Sequence, residues 1–203
     1  MMVAFFTALH LLNLGAAVEG PVAFGNLRAL LRRYYQAPAV EIPLLWLPIL
    51  FNVVSGLLLG ASRDVPARSR TVRTALQRFS GLALVALLPL HVLGTRGLEL
   101  AARVDPDFHF VARSLGGAGG PLFAAAYALL ALAAPYHIAN GLFTQLDAAG
   151  ALGDGRGRVA AGASLAVAGA SLALCGLLGL FSFLGVLYPR GLEALPAPDR
   201  QAW

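Results

Sequence analysis

An all-α bundle of five membrane-spanning helices is the architecture that the sequence predicts, on three observations. Hydrophobic residues fill 58% of the 203 positions and charged residues only 12%. The mean hydropathy is +0.73, which a water-soluble domain of this size could not carry over its surface. The charges gather in connectors and leave five apolar segments. Each has the length that a hydrocarbon core of about 30 Å demands of a helix, about 20 residues.

In order, the segments run over about 1 to 18, 40 to 61, 79 to 95, 121 to 145 and 159 to 188. The first has no basic run before it and no small-residue cleavage site after it, so it reads as a span rather than a signal peptide. In the connector behind it, "LRALLRRYY" sets aromatics beside arginines and reads as an amphipathic helix lying in the interface. The third segment is introduced by Gln77 and Arg78 and closes at Arg96, and the fourth holds His137 and Asn140. The fifth, rich in Gly, Ala and Ser, suits close helix packing. Residues 1–188 thus form one bundle, and the Pro-rich stretch 189–203 is expected to lie extended. There is no internal repeat and no soluble domain.

Orientation follows from arginine density. Arg63, Arg68, Arg70, Arg73, Arg78, Arg156 and Arg158 crowd the short second and fourth connectors, whereas Arg28, Arg32, Arg33, Arg96, Arg103 and Arg113 are spread over the longer first and third. The positive-inside rule then puts the N-terminus in the cytoplasm and the C-terminal tail outside.

Composition also excludes chemistry. All 15 basic residues are arginine, so no lysine Schiff base can form. The net charge of +5 reads as orientation signal and contact with anionic lipid, and no basic face with interleaved aromatics suggests nucleic acid. Cys175 is the only cysteine, which rules out an internal disulfide, a Cys-rich zinc site or an iron–sulfur cluster held by this chain alone. It reads as a small buried hydrophobe.

Polar residues at membrane depth are costly and by default mark function. A single intramembrane histidine could merely bond a neighbouring carbonyl, but His10, His91 and His137 fall on three different spans, while His109 falls in a connector. At 1.5 Å per residue, His91 lies about 7 Å inside Arg96, and His10 lies about 13 Å inside Glu19. Both belong to the outer half. His137 follows the start of its span by about 24 Å of rise and belongs near the inner side. Two imidazoles at comparable depth on different helices suit the axial positions of a haem iron better than a zinc site, which wants four ligands. Gly94, Gly15 and Ala16 are expected to leave room for the porphyrin.

These residues resemble a family. "LQRFSGLALVALLPLHVLGTR" is similar to the third helix of the single-chain, five-helix cytochrome b anchor of succinate:menaquinone oxidoreductases and fumarate reductases, and "YHIANGLFTQLDAAG" to the fourth. "ALHLLNLGAAVEGPVAFGN" resembles the end of the first helix, and "VEIPLLWLPILFNVVSGLL" the second. The likeness covers about residues 3 to 155. It implies a membrane anchor in a bacterial cytoplasmic membrane that passes electrons between menaquinone or another quinone and an iron–sulfur subunit. That subunit in turn serves an FAD flavoprotein acting on succinate or fumarate. The chain itself would be a non-catalytic subunit.

The resemblance further implies that His10 and His91 bind one haem b. His137 would occupy the fourth-helix place of a second haem, but the second-helix place is Asn52, which is not a usual axial ligand. One haem is therefore expected, with His137 either facing Asn52 across the bundle or holding a five-coordinate haem. The family's arginine- and serine-containing lead into the first helix has no counterpart in the sequence as given.

Quinone contacts need hydrogen-bonding groups near the water boundary. Outer candidates are Glu41, Asn13, Arg96 and His109, and inner ones are Gln77, Arg78 and Ser80. Each also has a plain reading: Arg78 and Arg96 as interfacial anchors, Ser80 bonding its own backbone, Glu41 as a solvated helix start. Two other functions stay open, a haem-free quinone-binding anchor of the same complex and a small membrane transporter.

Overall fold

The computed structural model describes residues 2–61 and 71–187. Every regular element among them is helical. Five helices are long and apolar enough to cross a membrane: Met2–Glu19, Ala39–Leu58, Val72–Ala102, Gly120–Ala148 and Gly155–Phe183. At most 17% of any span's apolar window is buried within the protein, so its large side chains look outward, as lipid requires and water forbids. The chain is a multi-pass membrane protein, with five candidate spans among the described residues. The extended tail expected over 189–203 lies outside the described residues.

The first span is α1 (Met2–Ala16) carried on by a 3₁₀ turn, Ala17–Glu19. Gly20, at φ 103°, takes a backbone conformation that L side chains rarely adopt, and Pro21 at the first helical position starts α2 (Pro21–Tyr35). The helix expected in the first connector is therefore present. The second span joins α3 (Pro38–Glu41), a π-helical turn (Ile42–Trp46) and α4 (Leu47–Ala61). Pro43 lies inside the widened turn and Pro48 two residues beyond it, and neither can donate to the helical ladder.

The third span is longer than the sequence suggested. It comprises α5 (Val72–Val92), a second π turn (Leu93–Gly97) and α6 (Leu98–Ala102). Arg73, Arg96 and Glu99 ride inside it because their charges find partners there instead of ending the helix. A helix not foreseen from the sequence, α7 (Phe108–Gly116), follows, capped where the Asp107 carboxylate accepts from the Phe110 amide at 2.8 Å. The last two spans, α8 (Gly120–Ala148) and α9 (Gly155–Phe183), form an antiparallel hairpin.

The packing order is α1 against α9, α9 against α8 and α8 against α5. At the end of the bundle that carries Arg96, α2 and α7 are seated on an aromatic cluster. Phe24 meets Phe183 edge-on at 5.4 Å, and Phe108 lies 4.9 Å from Phe183, with Ala17, Leu115 and Leu180 around them. By contrast α4 packs closely only through the π turn before it, and Leu50, Phe51 and Leu58 stand exposed.

Glycine sets the closest approach. A methyl group on Gly179 would lie 2.5 Å from the Leu14 carbonyl oxygen and 2.8 Å from Leu14 Cβ. No side-chain rotation relieves a clash with backbone, so α1 and α9 would have to separate. Gly179→Ala is expected to lower stability by about 1–3 kcal/mol, the usual cost of overpacking. The thermal midpoint in detergent would fall, whereas Gly56→Ala, whose added methyl meets nothing within 4 Å, would leave it unchanged. Equal midpoints for the two variants would contradict the tight α1–α9 contact.

Candidate functional site

Phe6, His10, Asn13 and Ala17 lie on one stripe of α1, because residues three and four apart share a helix face. From α5, His91 meets that stripe. The two imidazole centroids are 5.9 Å apart with planes inclined at 63°. Phe6 stacks parallel to His10 at 5.8 Å, with Tyr35 edge-on behind it, and Tyr127 of α8 stands edge-on to His91 at 5.7 Å. The imidazoles thus sit between aromatic walls. In the middle of the π turn that follows, Thr95 Oγ1 donates to the His91 carbonyl at 2.7 Å.

Two buried polar atoms in this layer have no hydrogen-bond partner among the described residues, His91 Nδ1 and Asn13 Oδ1. Buried groups of this kind are normally paired. Whether a metal could link the rings is a matter of lengths. With metal–nitrogen bonds of about 2.0–2.1 Å, two imidazoles on opposite sides of one ion have donor nitrogens about 4 Å apart and centroids roughly 6 Å apart. The observed centroid separation fits. A methyl on Gly94 would touch nothing within 4 Å. Gly15 is not open in this way: it is covered by Cys175 of α9, whose Cβ lies 3.2 Å from where a methyl would project.

Towards the Arg96 end, the layer is closed by ion pairs. Arg96 grips Glu41 bidentately, Nη2 to Oε2 at 2.7 Å and Nε to Oε1 at 3.1 Å, and reaches Glu99 at 3.2 Å. Arg32 pairs with Glu99 and, at 2.7 Å, with Asp105, which also accepts from Arg28. The hydrogen bond from Arg28, helped by the charges of Arg28 and Arg32, holds the Asp105 carboxyl below its ordinary pKa. These pairs tie α2 to the third span and its connector. Glu41, with 8% of its surface exposed, is not a solvated helix start. Its burial is matched by Arg96, so these two of the four outer quinone candidates are first of all partners of each other. His109 lies on α7 and lines a cavity of about 320 Å³ with Arg28, Arg32, Asp105 and Asp107.

His137 belongs to a separate polar site at the opposite, Arg73 end. Ser80 Oγ lies 3.1 Å and Gln77 Nε2 3.2 Å from its Nδ1, and Gln77 Nε2 also donates to the His137 carbonyl at 3.3 Å. Arginine can only donate, which fixes the direction of the rest. Arg73 Nε donates to Asn140 Oδ1, Asn140 Nδ2 donates to Gln77 Oε1 at 2.6 Å, and the Gln77 amide group is thereby turned towards His137. Thr144 accepts from Arg73 at 3.3 Å, the guanidinium lies 4.2 Å over the Phe143 ring, and Tyr136 donates to the Arg73 carbonyl.

The expected partnership of His137 with Asn52 is not found. Asn52 is exposed and donates to the Pro48 carbonyl at 2.7 Å, one turn back on its own helix. That partner is nearer than any on a neighbouring span, because α4 stands away from α8. Ser80 bonds its own backbone, the Gln77 carbonyl at 3.1 Å, and in addition reaches His137. Arg78 is exposed, with no ion-pair partner among the described residues. From sequence, Arg73 counted only towards orientation, Asn140 was not given a partner and Thr144 was not singled out, although the signal was present as complementary stripes: Arg73, Gln77 and Ser80 on α5 face His137, Asn140 and Thr144 on α8.

The chain matches no protein-family model, no curated protein and no solved structure.

Proposed function

We propose that the chain is the cytochrome b-type membrane anchor of a succinate:quinone oxidoreductase or quinol:fumarate reductase. What supports the reading most is the facing pair His10 and His91, on two different spans, 5.9 Å apart between aromatic walls. On this reading they hold one haem b, which when bound accepts and passes on single electrons. The chain supplies the rest. Phe6 and Tyr127 keep water from the imidazoles and limit their rotation, and the Glu41–Arg96 pair closes the layer above them. The site at His137 stays haem-free, its Nδ1 engaged by Ser80 and Gln77.

The N-terminus then lies in the cytoplasm of a bacterial cell, and the outer half of the bundle binds menaquinone or another quinone. An iron–sulfur subunit, carrying electrons to or from an FAD flavoprotein, docks at the Arg73 end, where Arg78 projects unpaired by any described residue. No succinate chemistry falls to this chain, which has one cysteine. The optical spectrum of the purified protein tests the reading. Reduction is expected to bring up b-type bands of bis-imidazole character at about one haem per chain. A spectrum without them would remove the haem from the proposal and favour the haem-free anchor.

A further inference from the structure

We infer that Asn13 is the residue that recognises the redox-active oxygen of the quinone, an inference that rests on the reading above. Only 3% of Asn13 is exposed, yet its Oδ1 has no partner among the described residues. A buried carbonyl left without a donor carries a desolvation penalty, so a group of this kind is kept where something else completes it. Asn13 stands one turn beyond His10 on the same stripe of α1, about 4.5 Å further along the axis at the usual helical rise. That places it towards the end of the bundle that carries the Glu41–Arg96 pair, on a helix that also packs against the π turn Ile42–Trp46. The second π turn, Leu93–Gly97, follows His91 on the other side, and such widened turns concentrate at functional sites.

The chemistry of the orphaned atom selects the ligand. Oδ1 can only accept. Ionised carboxylates, such as the propionates of a porphyrin, offer it no proton, whereas a quinol hydroxyl does. When the ligand is oxidised, its hydroxyl becomes a carbonyl that accepts, and the Nδ2 of the same side chain is a donor. One neutral amide therefore bonds both redox forms without changing its own charge, which no carboxylate or arginine in the neighbourhood could do. Glu41 and Arg96 are already committed to each other.

The test uses the full chain purified in detergent, with quenching of tryptophan fluorescence by 2-methyl-1,4-naphthoquinone as the binding signal. Asn13→Leu keeps the volume and removes both hydrogen-bonding groups. It is expected to weaken binding about tenfold, with the haem spectrum unchanged. Asn13→Thr, which keeps a donor and an acceptor in its hydroxyl, is expected to stay within about threefold of the parent. A second measurement needs no variant. The parent is expected to bind the reduced 2-methyl-1,4-naphthoquinol about tenfold more tightly than its dimethyl ether, which has no proton to give Oδ1. Equal affinity of Asn13→Leu and the parent, or of quinol and ether, overturns the assignment of Asn13 while leaving the anchor reading standing. A parent that binds no naphthoquinone overturns both.

Discussion

If the chain holds one haem between His10 and His91 as proposed, alanine at either residue is expected to strip it from the protein, and alanine at His137 to leave it in place. The two effects differ because the polar surroundings of the imidazoles differ. His10 and His91 face each other at a separation that one metal ion spans, and His91 Nδ1 is buried without a partner. On that reading, removing either imidazole would leave one nitrogen to hold the group, with Phe6, which has no donor atom, stacked on the His10 side of the layer. The loss should exceed the about 10–100-fold that removal of a mere supporting hydrogen bond costs a metal site. His137 is already occupied by Ser80 and Gln77 at the other end of the bundle. Haem per chain, from the absorbance of the reduced purified variants, decides the matter. Equal loss from all three substitutions would refute the one-haem assignment, and haem retained in both His10→Ala and His91→Ala would refute the axial pair.

The spans were legible in the sequence because their cause is local: about 20 apolar residues in a row need lipid, whatever they pack against. The facing of His10 and His91 was legible for a related reason. Helical rise fixes depth along a span, and the short π and 3₁₀ turns that the counts from Arg96 and Glu19 cross change it by only about 1–2 Å. What lies beyond a π turn was not. The widened turns Ile42–Trp46 and Leu93–Gly97 change the angle between successive side chains, so the 3.6-residue period no longer says which way Glu41, Arg96 and Glu99 point. Their ion pairs join residues about sixty positions apart, and only the folded chain brings them together. Asn52 shows the complementary error. Depth alone suggested His137 as its partner, but a side-chain amide in a helix has a carbonyl four residues back within reach before any neighbour competes. The helix α7 could have been read from Asp107 as a cap, Phe108 and Leu115 as buried positions and the glycines after Leu115 as a stop.

Arg96→Met is expected to destabilise the fold by about 3 kcal/mol, at the lower end of what breaking a buried ion pair costs. The reasoning turns on what each acid has left. Glu99 keeps Arg32 and a 3.4 Å bond from Gln36 when Arg96 goes. Glu41 keeps no partner among the described residues, because both of its oxygens are bonded to Arg96 alone. Its carboxylate would then be left buried without a counter-charge, against π-turn residues that have no polar side chain to offer except the Trp46 indole. The double variant Glu41→Met with Arg96→Met removes the stranded charge together with its partner. It should recover most of the loss, since an apolar pair of similar volume substitutes well for a buried ion pair. Thermal unfolding of the two variants and the parent in one detergent measures this. If the single variant is no less stable than the double, the Glu41 carboxylate reaches water when Arg96 is gone, and the picture of a sealed layer above the imidazoles is wrong. If the single variant is much less stable and also loses haem while the double keeps it, the pair holds α3 against the third span, and with it the wall behind which His10 and His91 face each other.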